Sequence, residues 1–163
     1  MTRVYRVLRR PYANAPFDGE GAYRYGGRWS SPGTRVSYAS EHESLAMLEY
    51  FVHLDADDPP PDLLLAVADV PEDLKREKIG VSKLPQHWRD SPSPAELIRH
   101  GDEFVQRAEC ALLLVPSALA PSENNWLIDP QHPAFRKIAV RETQPLNYDP
   151  RLFHRGHRQR KRK

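Results

Sequence analysis

The chain has one cysteine. Cys110 cannot close an internal disulfide, and no set of thiols stands at zinc-ligand spacing, so a disulfide scaffold and a Cys-based metal site are excluded. A lone thiol just before the apolar run 111–115 is expected to be a small buried side chain, and a reducing compartment suits it. Long hydrophobic runs are also missing. The longest, 63–68 and 111–115, fall far short of the ~20 residues that a membrane span needs. Basic and apolar residues alternate through 1–10 without a continuous apolar stretch, which is not the pattern of a secretory signal.

Several catalytic signatures are absent as well. The seven histidines include no pair four residues apart and no grouping with acids at metal-ligand spacing, so metal-dependent hydrolysis is not indicated. No Gly-Lys-Ser/Thr follows a glycine loop, and no Gly-x-Gly-x-x-Gly joins a strand to a helix. Ser117 lacks the Gly-x-Ser-x-Gly elbow of serine hydrolases.

What is present is the composition of an ordinary globular domain, 39% hydrophobic and 28% charged. A length of 163 residues predicts one domain with enough core to fold alone. The net charge of +2 hides an asymmetry. Seven of the 24 basic residues lie in 151–163, which contain no acid; the remaining 17 against 22 acids leave the body at about −5. Such a body is a poor general binder of nucleic acid. The tail 154–163 is expected to be a solvated, disordered end.

The pattern predicts strands over 3–9, 36–39, 63–70, 111–115 and 135–142. The strand 63–70 is apolar enough to be buried on both faces. Two helices are expected. One covers 41–54 and opens with a capping box from Ser40 to Glu43; the other opens at Ser93-Pro94 with Glu96 and carries Leu97, Ile98, Gly101, Phe104, Val105 and Ala108 along one face. The glycine-rich stretch 11–32 is too long for a simple turn and should be functional or pinned by packing. Asn124, Asn125 and Trp126 read as a proline-bounded loop. Mixed elements in one small domain give an α+β (mixed α/β) class.

Four positions draw attention on chemical grounds. Leu45, Leu48 and Val52 form a stripe on the first helix, and Glu49 lies about 40° from Leu45 around the axis. A carboxylate there loses hydration unless it is paired. The plain alternative is a stripe-edge Glu that reaches water or pairs with an Arg. Gly26-Gly27-Arg28-Trp29 allows close backbone approach and offers a planar guanidinium fork, although Gly-Gly-Arg alone is a weak signal. Tyr38 ends the second strand, where core packing is the usual role. Ser117 follows a strand end, where ligands gather in α/β sheets, as do turn serines.

Taken together, the motifs resemble a known family. Tyr5-Arg6, Gly26-Gly27-Arg28-Trp29, Ser31-Pro32-Gly33, Tyr38-Ala39-Ser40 and Leu45-Ala46-x-Leu48-Glu49 come in the order seen in RES domains. Val115-Pro116-Ser117, Glu123-Asn124-Asn125-Trp126-Leu127, Asp129-Pro130-x-His132-Pro133 and Asp149-Pro150-Arg151-Leu152 continue it. The likeness spans residues 3 to 153, so 1–153 is taken as the RES domain and 154–163 as a basic tail. The Arg, Glu and Ser of the family's name map onto Arg28, Glu49 and Ser117.

The resemblance implies an ADP-ribosyltransferase-like single domain, with a mixed sheet core and flanking helices. It also implies the toxin half of a bacterial toxin–antitoxin pair, cytoplasmic and neutralised by an Xre-type helix-turn-helix antitoxin through which alone it would meet DNA. The implied activity is depletion of NAD⁺ as substrate, with no cofactor and no metal, by cleavage of the nicotinamide–ribose bond with water or phosphate as acceptor. On that basis Glu49 would stabilise a cationic ribose, Arg28 would clamp the pyrophosphate, and Tyr38 would stack on nicotinamide or its ribose; these three form the catalytic set. Ser117 and Asn125 would join Arg28 and Tyr38 in holding substrate. ADP-ribosyl transfer to a protein is the second reading. A non-enzymatic binding module with a structural Arg28–Glu49 ion pair is the third.

Overall fold

The computed structural model describes residues 1–55 and 57–153; the tail expectation for 154–163 lies outside the described residues. Among the described residues, seven strands form one sheet: β1 (Thr2–Arg9), β2 (Ser37–Ser40), β3 (Leu63–Val70), β4 (Arg76–Lys78), β5 (Leu112–Pro116), β6 (Asn124–Ile128) and β7 (Ala139–Pro145). Their spatial order is β4-β5-β6-β2-β1-β3-β7, and only the β4–β5 pair is parallel. Three α-helices accompany it among the described residues, α1 (Glu20–Tyr25), α2 (Glu43–Phe51) and α3 (Ala95–Arg107). The α+β class with a mixed sheet and flanking helices is what the chain adopts. No helix among the described residues is long and apolar enough to cross a membrane.

Strand alternation explains the layers. On β1, Val4 and Leu8 face one core with Ala66, Ala68, Trp126 and Ile128. Val7 faces the other side, with Leu63, Leu65, Val67 and Ala46 of α2. β3 is apolar on both faces because both are covered, as its unbroken hydrophobic run predicts. α3 covers the far end through Leu97 and Phe104, packed with Trp29, Leu113 and Leu127. Gly101 is required on that face. A Cβ there would come within 1.7 Å of the Trp29 carbonyl oxygen, so the helix lies directly on the turn that carries Trp29.

Several expected boundaries are corrected. Ser40 does not cap α2; it remains in β2 because it pairs with Asn125 in backbone register, and the N-cap is His42. α2 stops at Phe51 rather than at 54, and the chain leaves through successive turns. At α3 the N-cap is Pro94, since the Ser93 hydroxyl donates to the Arg28 carbonyl instead. Residues 133–137 form a 3₁₀ turn, entered through Pro133 and capped by the His132 ring, so the last strand begins only at Ala139. Asn124-Asn125-Trp126 is strand β6 and not a loop, because it bridges β5 and β2. The α2 stripe is also corrected. Leu45 and Ala46 are buried, but Leu48 and Val52 are exposed, because the helix turns its Ala46–Tyr50 side toward β1.

The sheet has a seam. β1 and β3 share eight register pairs, whereas β1 and β2 share only Tyr5↔Ser40. Beyond that point the two strands part, which divides the sheet into a β4-β5-β6-β2 half and a β1-β3-β7 half.

Candidate active site at the sheet seam

Glu49 sits across this seam. Its helix packs on β1, yet its carboxylate bonds to the other half of the sheet. Oε1 accepts from Ser117 Oγ at 2.7 Å and from Asn125 Nδ2 at 2.6 Å. These charge-assisted bonds to neutral donors compensate the lost hydration of a half-buried carboxylate without neutralising it. Oε2 has no hydrogen-bond partner among the described residues. The carboxylate is therefore held by one oxygen and offers the other.

Both donors are themselves fixed. Ser117 is fully buried, and its Oγ accepts the backbone N–H of Leu119 and Ala120 at 3.1 and 3.0 Å. With both lone pairs occupied, its single hydrogen must go to Glu49. Asn125 stands in β6 opposite Ser40, whose hydroxyl donates to Asn125 Oδ1 at 2.7 Å.

Arg28 and Tyr38 are placed differently. The Arg28 guanidinium donates through Nη1 to the carbonyls of Trp88 and Asp90, at 3.1 and 3.0 Å. It ties the 88–93 segment to the glycine turn and makes no ion pair with Glu49. The Tyr38 hydroxyl accepts from the Trp29 N–H at 3.0 Å and shares a hydrogen bond with Ser30 Oγ. Burial pushes this phenol up to about 12, the bonds to Ser30 and Trp29 opposing the rise only in part. The glycine pair is explained by the same contact. Gly26 has φ +70°, and a Cβ on Gly27 would lie 2.7 Å from the Tyr38 hydroxyl oxygen. Thus Glu49, Ser117 and Asn125 form one bonded cluster, while Arg28 and Tyr38 form the frame of the glycine turn.

Arg6 is a further candidate residue that its motif left without a role. It projects into the seam from β1, and its Nη1 donates to Ser37 Oγ and to the Tyr38 carbonyl at 3.0 and 2.9 Å. One side chain thereby replaces ladder bonds that the parted strands lack. Its Nε is sealed from solvent and has no hydrogen-bond partner among the described residues. Burial lowers this guanidinium from its ordinary value, with Asp18 and the Tyr38 and Tyr50 phenols opposing. Arg6 lines a cleft of about 230 Å³ together with Tyr12, Asp18, Tyr25 and Tyr50. Tyr50 directly follows Glu49, so a single turn of α2 contributes to both cleft and cluster. The signal was legible: strand alternation puts Arg6 on the same face as Val4 and Leu8, where an unpaired charge is costly.

Elsewhere, Cys110 is buried at 2% exposure, as its neighbours suggested. Folding also brings together a group that sequence spacing concealed. Ligand atoms of Glu41, His42 and Glu123 lie within 4.8 Å of one another. Their chemistry is already engaged, since Glu41 accepts the Asn124 backbone N–H and Nδ2, and the His42 ring pairs with Glu123 at 2.9 Å.

Comparison with known proteins identifies the family. The RES domain model matches residues 3–149. The chain belongs to the RES-domain family. This RES domain is 36% identical over 151 residues to the protein named Toxin Res of Yersinia enterocolitica, covering 91% of the present chain and 98% of that relative. It is 35% identical over 149 residues to the Prs ADP-ribosylating toxin of a Sphingobium species, covering 90% and 92%. Its fold matches a chain in the crystal structure of the M. tuberculosis MbcT–MbcA toxin–antitoxin complex, with a TM-score of 0.70, 18% identity, and coverage of 93% of this chain and 86% of that one.

Proposed function

We propose that this RES domain is the toxin of a toxin–antitoxin pair, and that it consumes NAD⁺ by breaking the nicotinamide–ribose bond. The observation that carries the reading is the Glu49 carboxylate, anchored by Oε1 between Ser117 and Asn125, with no hydrogen bond to Oε2 among the described residues. When the C1′–N bond breaks, its electron pair goes to the nicotinamide nitrogen and neutralises that ring. Positive charge passes to the ribose, as in glycoside cleavage. A carboxylate that is preorganised and partly withdrawn from water stabilises this cation better than a mobile, hydrated one. Water or phosphate then bonds to C1′, and the proton released passes to Oε2 or to solvent. No metal enters these steps.

Arg6 takes the pyrophosphate-binding part in this reading, because it lines the cleft and both of its bonds, to Ser37 and Tyr38, leave from one nitrogen, Nη1. Arg28 and Tyr38 hold the turn that borders the site. The cleft is smaller than whole-ligand pockets of ~300 Å³ or more, so it suits one part of a dinucleotide, with Tyr12, Tyr25 and Tyr50 available for stacking.

A second reading, ADP-ribosyl transfer to a protein, is favoured by the name of the Sphingobium relative. Incubation with NAD⁺ labelled in its adenylate half, in a cell extract with and without phosphate, separates the two. Label in free ADP-ribose or its 1″-phosphate supports NAD⁺ breakdown. Label retained on one polypeptide supports transfer, and intact NAD⁺ in every arm leaves a binding module. The proposed partner is a small Xre-type helix-turn-helix antitoxin encoded in an adjacent reading frame, and the proposed location is the cytoplasm.

A further inference from the structure

We infer that Ser40 is a positioning residue for the Glu49 carboxylate, acting through Asn125; this rests on the proposed role of Glu49. Among the described residues, Ser40 occupies the only register point that joins the two halves of the sheet, opposite Tyr5 on one side and Asn125 on the other. It is 3% exposed, and its Oγ has one hydrogen-bond partner among the described residues, Asn125 Oδ1 at 2.7 Å. The other end of that amide donates to Glu49 Oε1 at 2.6 Å.

A primary amide has an acceptor end and a donor end of nearly equal size, so its direction is decided by its partners. The ionised Glu49 requires the donor end, which leaves Oδ1 facing the seam. Ser40 supplies the hydrogen that Oδ1 then needs and polarises the amide toward Glu49, because hydrogen bonds in a chain reinforce one another. Without that hydroxyl, Oδ1 is a partly buried acceptor with no donor. The Asn125 side chain then turns to find one, and Oε1 keeps only Ser117. Two serines therefore orient one carboxylate, Ser117 directly and Ser40 at one remove. The residue that looked like a helix cap is instead the outermost link of the site.

The test is a double-mutant cycle on NAD⁺ turnover with Ser40→Ala and Asn125→Ala. Ser40→Ala should lower kcat about five- to tenfold, the scale of one net hydrogen bond, with KM moving less than twofold. In the Asn125→Ala background the same change should have no further effect, whereas a purely structural role would give additive losses. Ser40→Thr, which keeps the hydroxyl, should restore most of kcat. If Ser40→Ala does not fold, Ser40→Cys, a weak donor of similar size, takes its place in the cycle. A second readout needs no turnover: the Asn125 side-chain amide resonances in ¹⁵N-labelled protein should shift on Ser40→Ala while the backbone amides of β2 and β6 stay in place. Additive kcat losses, or unmoved Asn125 side-chain resonances, overturn the role of Ser40. If the wild-type protein leaves NAD⁺ intact, the functional reading falls by itself, and the resonances still decide whether Ser40 orients Asn125.

Discussion

Glu49→Gln is the sharpest perturbation of the site, because it removes charge and almost nothing else. A glutamine carbonyl can accept the same two bonds that Oε1 now takes from Ser117 and Asn125. Each bond to an ionised acceptor contributes ~1.5–3 kcal/mol and each neutral one ~0.5–1.5, so the pair weakens by about 2 kcal/mol. Relief of a half-buried charge offsets part of this, and net stability should change by no more than about 1 kcal/mol. Catalysis should suffer far more. Loss of a preorganised charge facing a developing cation costs ~10²–10³ in kcat, or about 3–4 kcal/mol. Glu49→Ala separates the two effects: it strands the Ser117 hydroxyl and the Asn125 amide without an acceptor, at about 2 kcal/mol, and should lower Tm by roughly 4–8 °C. The assay is chromatographic release of nicotinamide at saturating NAD⁺, with thermal melts in parallel. A Glu49→Gln protein that turns over within threefold of wild type would refute the electrostatic argument.

Three further outcomes follow from the frame around the site. Gly101→Ala drives a methyl into the Trp29 carbonyl, at 1.7 Å without relaxation, so α3 must lift from the glycine turn; a loss of about 3 kcal/mol or more is expected in denaturant titration, and a loss under 1 kcal/mol would contradict the close packing. Asp102 is raised by burial, but the Ser31 hydroxyl and amide and the Thr34 hydroxyl outweigh that and hold it below its ordinary 3.8. Its stabilising contribution is thus present above about pH 3.8 and lost as pH falls through the lower folded value, so Asp102→Asn should flatten the acid limb of urea midpoints measured from pH 2 to 6; an unchanged slope would count against it. Arg28→Lys should speed amide exchange over 88–93 while moving KM for NAD⁺ less than threefold, whereas Arg6→Lys should raise KM at least tenfold. The opposite pattern would return the pyrophosphate to Arg28.

The strands β1, β3 and β5 and the buried face of α3 were legible from periodicity alone, because burial on a strand or helix face writes a local pattern into the chain. The α+β class followed from those elements, and the motifs pointed to Arg28, Tyr38, Glu49, Ser117 and Asn125 as candidate site residues, of which Glu49, Ser117 and Asn125 meet in one bonded cluster. What they could not convey was which side chains meet. Ser40 carries a good capping signature with Glu43, yet a partner 85 residues away in sequence outcompetes it. Arg28 looks like a free fork, but two loop carbonyls 60 and 62 residues away take it. Arg6 acquires its place only because β1 and β2 separate after a single pair, and strand separation is a property of the assembled sheet. Local sequence determines an element through contacts within a few residues. The site is made by bonds between distant segments, and those are chosen only when the whole sheet closes around its seam.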